Sequence, residues 1–426
     1  MRILHFSTED ITGGAAKAAY RLHSALREAG HQSRLIVLNK KSDDESVVQA
    51  PLAELGPWKS RFERLQARLS TWLRVEPAAN YTFNFDTKSH IDIQSFLASQ
   101  PEPPEIICLH WINGFLDVKA VRELYDAFHC PIVWVMADQE PLTGGCHYSF
   151  GCEGFKHQCG NCPQLTPSKV ADHSHKVWKR KRELLSDLPI CFVAPTSWGR
   201  ERLQQSSLFH HHRCELIPYP IDPQVFRPYD RSIARDLLHL PQDKKIIFLG
   251  ATYLEDRRKG MSELLDSMRL VASQASSPGL KDAIYLLIAG LNGKQLMGNL
   301  PFEGKYVGHL HDELTLALAY QAADIFVCPS LEDAGPMMIP EAMMCGTPVV
   351  AFNAGGAPDL IESGKTGYLA TFADTKDFAS GILALLEADD GQIIRDAAFV
   401  KAKERHLPSS IAQQHIQLYK LLLRND

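Results

Sequence analysis

Asp333 and Glu341 stand eight residues apart, in Pro329-Ser330-Leu331-Glu332-Asp333-Ala334-Gly335-Pro336 and the run that follows it. They bracket a loop that enters a helix. Carboxylates accept hydrogen bonds from paired hydroxyls, although in isolation such a pair is more simply a helix cap with a solvated acidic turn. Backbone N–H groups near Gly335 and Met337, with Met338 next in the chain, lie where a helix N-terminus favours an anion, and Pro336 cannot donate. Upstream, Asp256-Arg257-Arg258-Lys259-Gly260 puts three cations in a turn between a strand and a helix. Arg grips phosphate bidentately and Lys acts as a point charge, so Arg257, Arg258 and Lys259 suit an anionic ligand. An exposed basic turn is the plainer alternative. Gly13 and Gly14 precede the first helix, where glycine lets a ligand approach the backbone and the helix N-terminus attracts phosphate. A tight turn would use the same residues. His110, in Leu109-His110-Trp111-Ile112-Asn113-Gly114, ends a strand, and His147 lies further on; a lone histidine is more often structural than catalytic.

Four cysteines, Cys146, Cys152, Cys159 and Cys162, read C-x5-C-x6-C-x2-C. The terminal pair has metal-ligand spacing, and a structural zinc held by four thiolates would staple a loop too polar to pack by itself. Reduced structural thiols and a redox pair fit the same residues. The other six cysteines (Cys108, Cys130, Cys191, Cys214, Cys328, Cys345) lie in apolar strands and read as core thiols.

These groups need a scaffold. The 426 residues suit two α/β domains of about 200 residues each. At 45% apolar and 22% charged residues the chain has the balance of a soluble globular protein. A net charge of −5 argues against a general nucleic-acid partner. No apolar run reaches the roughly 18 residues of a membrane span, and Met1-Arg2 runs directly into a strand, which reads as a cytoplasmic protein without a leader. The first forty residues form a βαβ unit: a strand to Ser7, a helix from Ala15 to Ala29 stopped by Gly30, and a strand at Leu35-Ile36-Val37-Leu38. Apolar runs at 106–109, 132–136 and 190–194 continue a parallel sheet. After Ile217-Pro218-Tyr219-Pro220-Ile221-Asp222-Pro223 the pattern restarts at Ile246-Ile247-Phe248-Leu249. Strands follow at 285–289, 306–307, 325–327 and 349–352, and a last helix after Pro408. The expected domains are 1–217, completed by 409–426, and 218–408. Open parallel sheets bind ligands at their carboxyl edges.

The segment from Pro329 through Glu341-Ala342-Met343-Met344-Cys345-Gly346-Thr347-Pro348-Val349-Val350, with Ala354-Gly355-Gly356-Ala357-Pro358-Asp359-Leu360-Ile361 and Gly364-Lys365-Thr366-Gly367-Tyr368, resembles the donor-binding signature of the retaining glycosyltransferases of family four. Several fixed spacings agree at once. The resemblance implies a GT-B fold: two Rossmann-like doubly wound domains facing across a cleft, with the C-terminal helix crossing back to the N-terminal, acceptor-side domain. Ile411, Ile416, Leu418 and Leu422 would bury on that domain. The implied activity is transfer of a hexose from a UDP- or GDP-sugar to a polysaccharide or lipid-linked glycan, without a metal ion in the chemistry. In the resemblance Glu341 meets the ribose hydroxyls, Glu332 or Asp333 meets the donor sugar, Arg258 or Arg257 with Lys259 grips the diphosphate, and Gly355 and Gly356 complete the donor loop.

The family's His after the fifth strand is replaced by Ala137, followed by Asp138-Gln139-Glu140. His110, His147 and Asp138 are the nearby polar candidates for the donor. Thr143-Gly144-Gly145-Cys146-His147-Tyr148 and Cys159-Gly160-Asn161-Cys162-Pro163-Gln164-Leu165 resemble a subgroup of exopolysaccharide-type transferases. A basic amphipathic stretch, Trp58 to Trp72, has two readings: a helix packed on its domain, or a peripheral contact with the inner face of the membrane. The run Lys176, Lys179, Arg180, Lys181, Arg182 extends that basic patch or is a solvated face.

Overall fold

Apolar runs without alternation demand cover on both sheet faces, and both sheets have it. The computed structural model describes residues 1–52, 83–86, 89, 91–100, 102–275 and 279–424; the stretch Trp58 to Trp72 lies outside them. Two compact units emerge, Met1–Tyr219 with Ser409–Asp426, and Pro220–Pro408.

The first unit is a seven-stranded parallel sheet. Its strands are β1 (Arg2–Glu9), β2 (Gln32–Asn39), β3 (Val47–Gln49), β4 (Ile106–Leu109), β5 (Ile132–Val135), β6 (Ile190–Ala194) and β7 (Cys214–Leu216). They run in the order β3-β2-β1-β4-β5-β6-β7. The second unit has six: β8 (Lys245–Tyr253), β9 (Ile284–Leu291), β10 (Gly304–Tyr306), β11 (Ile325–Cys328), β12 (Val349–Phe352) and β13 (Gly367–Ala370), in the order β10-β9-β8-β11-β12-β13. Both are α/β, Rossmann-like and doubly wound. The strand order reverses between β1 and β4 in one and between β8 and β11 in the other. In such sheets the crevice at the carboxyl ends beside that reversal is where ligands bind.

The first helix runs Gly14–Glu28 rather than Ala15 to Ala29; Ala29 is its cap, and Gly30 follows at φ 84°. The strand expected at 306–307 closes earlier, at Tyr306. The helix Pro408–Leu422 returns to the first unit. Ile411, Ile416, Leu418 and Tyr419 are buried there, with the Tyr419 hydroxyl 3.8 Å from Cys108 Sγ of β4. Leu422 is half-buried, because the apolar stripe runs out at the helix end.

Two expectations change. Of the six scattered cysteines, Cys108, Cys191 and Cys328 are buried strand residues; Cys214 is half-buried, and Cys130 and Cys345 are buried outside strands. Lys181 is no solvated cation. It is 2% exposed and donates to Glu140 Oε1 at 2.7 Å and to the Thr143 carbonyl at 3.1 Å. Arg180 pairs with Asp86 and Asp117, so the basic run is divided between interior and surface.

Candidate functional site

In the second unit three loops leave the carboxyl ends of β8, β11 and β12, which are neighbours in the sheet. After β8, Asp256 caps the turn Arg257–Lys259 by accepting from Arg258 N at 3.0 Å, and its other oxygen holds Arg258 Nη2 at 3.1 Å. Gly260 then adopts φ 65° and opens the helix Met261–Gln274. A Cβ there would lie 1.9 Å from the Pro329 carbonyl oxygen, so only glycine lets the basic turn close on the loop after β11. Leu331 N donates to Arg258 O at 2.8 Å across the same junction.

The turn thereby aims two cations at one carboxylate. Lys259 Nζ lies 2.7 Å and Arg258 Nη1 3.2 Å from Asp333 Oδ2, and Arg258 also reaches the Glu332 carbonyl at 3.2 Å. Burial works to raise the Asp333 pKa, but the charges of Lys259 and Arg258 outweigh it and hold the carboxyl below its ordinary range. The Asp333 carboxylate is thus ionised near neutral pH, and both cationic side chains keep about one-seventh of their surface exposed, at 14% and 15%. Arg257 points to the exterior side of the turn and is exposed.

The third loop locks the second. Gly355 has φ 54° and its Cβ position falls 2.1 Å from Asp333 O; Gly356 N donates to that oxygen at 3.1 Å. Gly335 N donates to Asp333 Oδ1 at 3.3 Å. Glu332 and Glu341 are buried, at 7% and 4% exposure, Glu341 on the short helix Met338–Met344 with Met337 as its cap. Arg258, Lys259, Asp333, Glu332, Gly335, Gly355 and Gly356 therefore meet at the β8–β11 reversal, and Met337, Met338 and Glu341 follow directly on. Asp256 stands in the motif of the basic turn, where the sequence assigned it no role. Its signal was present, an Asp immediately before a helical turn.

The first unit has a different set at its own reversal. Gly13, at φ 87°, caps the first helix in an exposed loop, with nothing within 4 Å of a Cβ position, and Gly14 begins the helix. His110 follows β4 and is only 5% exposed; its Nε2 lies 2.9 Å from Nδ1 of His5 on β1. His5, Cys108 and His110 form the one group of three potential metal-binding side chains found within 4.8 Å among the described residues. One nitrogen of each imidazole, His5 Nδ1 and His110 Nε2, is engaged with the other. Burial drives His110 and His415 down to about 3 and His23 to about 4, and His5 well below the ordinary value, so this cluster is neutral.

After β5, Asp138 receives His147 Nδ1 at 2.5 Å and Trp111 Nε1 at 3.1 Å, while Asn113 Nδ2 lies 3.1 Å from His147 Nε2. Burial works against the charged imidazole of His147, but the Asp138 carboxylate more than offsets it and raises the pKa. His110, Trp111, Asn113, Ala137, Asp138 and His147 line one pocket. An imidazole is thus brought beside Ala137 from ten residues later in the chain. Trp111 and Asn113, its partners, carried no signal beyond their place after His110.

Cys146, Cys152, Cys159 and Cys162 also line a common cavity in this unit, yet no three of their sulfurs fall within 4.8 Å of one another. Burial pushes the Cys159 thiol up to about 12 and that of Cys162 to about 11.

Residues 243–388 match the family of glycosyl transferases group 1. Over 381 residues the chain is 26% identical to WcaC of Escherichia coli K12, described as a colanic acid biosynthesis glycosyl transferase; the match covers 86% of this chain and 87% of WcaC. Among solved structures, sucrose-phosphate synthase from Thermosynechococcus elongatus superposes with a TM-score of 0.69 at 19% identity, covering 100% of both chains. Anabaena HepE in complex with UDP-glucose gives 0.66 at 17% identity over 99% of both. Among the described residues no helix is long and apolar enough to cross a membrane. With the signature loops gathered at one sheet edge, residues 243–388 form a group 1 glycosyl transferase domain within a chain that has the GT-B fold.

Proposed function

We propose that the protein transfers a hexosyl unit, with retention of anomeric configuration, from a UDP- or GDP-sugar to a growing polysaccharide or a lipid-linked glycan. The observation that carries this reading is the pair of cations aimed at Asp333 inside the matched domain, Lys259 at 2.7 Å and Arg258 at 3.2 Å. A donor diphosphate brings charge that these two groups meet without a metal ion, and they stabilise it as it departs. Glu341 accepts from the ribose hydroxyls. Glu332 or Asp333 meets the sugar, and Asp333 holds Lys259 and Arg258 in place before the donor arrives. The UDP-glucose in the HepE complex supports a nucleotide-sugar donor, and the likeness to WcaC supports a glycan acceptor. The stretch Trp58 to Trp72 keeps its two readings, a helix packed on its domain or a peripheral contact at the inner membrane face, and in the second it would meet a lipid-linked acceptor.

A thermal-shift panel of UDP- and GDP-sugars tests the reading, since saturation at about 100 times Kd adds about 2.7 kcal/mol to the native state. The matching donor should stand out and then yield a glycosylated product. Ala137 favours a second reading, a nucleotide-sugar binder without activity. Binding with neither transfer nor hydrolysis would select it, and conversion of the donor without any acceptor would indicate an epimerase. A panel with no response at all would remove the proposal.

A further inference from the structure

Residues 143–172 form a long excursion between β5 and β6 with little regular structure: within it, the described backbone has one three-residue helical turn, Gly154–Lys156. Its buried apolar side chains are Phe155, Cys162 and Leu165, few for a segment of this length, so a further constraint would help to order it. The four cysteines are where this excursion converges. Cys146, Cys152, Cys159 and Cys162 come from three separate turns and line one small cavity together with Phe83 and Phe155.

The backbone around that cavity is shaped for sulfur. Gly154 N points at Cys152 Sγ at 3.5 Å and Gly144 N at Cys159 Sγ at 3.2 Å. Gln164 N is directed at Cys162, again two residues further along the chain. Amides offered to a sulfur stabilise its thiolate, the form in which cysteine ligates metal. The turn holding the last pair runs through Cys159, Gly160 and Asn161 at φ 53°, 91° and 46°, which folds Cys159 and Cys162 back to one side. A Cβ on Gly160 would lie 2.1 Å from the Val170 carbonyl oxygen, and one on Gly144 2.2 Å from the Ser174 carbonyl oxygen, so the cavity wall is closed by backbone. Cys162 N is tied in turn to Asp172, the cap of the helix His173–Leu185.

We infer that these four cysteines bind one zinc ion as a structural tetrathiolate site that organises the excursion. Zn–S bonds of about 2.3 Å place thiolates about 3.8 Å apart in a tetrahedron. The sulfurs stand wider than this around their cavity, so binding draws them inward, with each thiol releasing its proton to solvent. The excursion carries both His147 and the loop that receives Lys181, and the ion therefore anchors the wall of the Asp138–His147 pocket. Cys214, half-buried on β7, lies outside the cavity and serves as a control.

The test uses the full chain, purified without chelator. Elemental analysis should find one zinc per chain in the wild type and in Cys214→Ser, and almost none in the Cys159→Ser, Cys162→Ser double variant. Should that variant not fold, cobalt added to zinc-stripped wild type provides the second reading: thiolate-to-cobalt charge-transfer bands are expected, and thiol reagents should lose access to the four cysteines when zinc is restored. Zinc-free protein whose cobalt spectrum lacks those bands would overturn the inference. So would peptide mapping that finds disulfides among the four.

Discussion

The two sheet reversals face the same topological opportunity and fill it with opposite electrostatics. At β8–β11 the structure gathers charge: Arg258 and Lys259 against Asp333, braced by Asp256. At β1–β4 it gathers neutral imidazoles, His5 on His110 with His23 and His415 behind them, and charge reappears only one strand over, at Asp138 and His147. Fold alone does not dictate what a switch point binds. A cation pair that keeps some solvent exposure is ready to exchange its partner for an incoming anion. A fully buried imidazole stack is not, since charging it means solvating an ion where there is no water.

The comparison is most exposed to Lys259→Ala. Losing one charge-assisted contact costs about 1.5–3 kcal/mol, so donor turnover should fall roughly 10- to 150-fold while the fold persists. Steady-state kinetics at wild-type values would show that the second reversal does not hold the donor. Glu341→Ala should fall in the same range. A smaller loss is expected from His147→Ala, about 1–3 kcal/mol, expressed in kcat with donor affinity retained. If donor binding fell instead, His147 would be a donor contact rather than a residue of the transfer step.

Acid should then distinguish the units. His5, His23, His110 and His415 have lowered native pKa values, so the unfolded chain binds more protons below its own value near 6.5. Their stabilisation is complete above that pH and declines as pH falls toward 4, by up to about 1.4 kcal/mol per pH unit for each group. His147 acts in the opposite sense: its raised pKa contributes stability below about 6.5 that is lost as pH rises through the native value. Four groups outweigh one, so hydrogen exchange between pH 6.5 and 4.5 should show the first unit opening before the second. Simultaneous loss of protection would contradict this. The smallest effect on turnover is expected at Gly13, where a methyl meets nothing within 4 Å but φ 87° with ψ 162° is a conformation essentially confined to glycine. Gly13→Ala should cost about 1–3 kcal/mol in thermal stability. A larger loss of transfer than of stability would reveal a ligand role for that loop.

Much of this was legible in the chain itself. Continuous apolar runs at intervals specify strands of a parallel sheet, because each run is read by its immediate neighbours and by the burial it requires. The restart at Ile246 and the clustered signature at 329–368 pointed to the donor loops for the same local reason. What followed only from tertiary structure are pairings between residues far apart: Arg258 with Asp333, 75 residues on, and His5 with His110, 105 residues on. Lys181 looked like one cation in an exposed basic run until Glu140 and Thr143 met it in the interior. The cysteine motif carried its spacing along the chain but not the width of the cavity its sulfurs surround. Periodicity records which face a residue turns inward. Strand order alone decides which distant residue it meets there, and hence whether a charge is solvated, paired or suppressed.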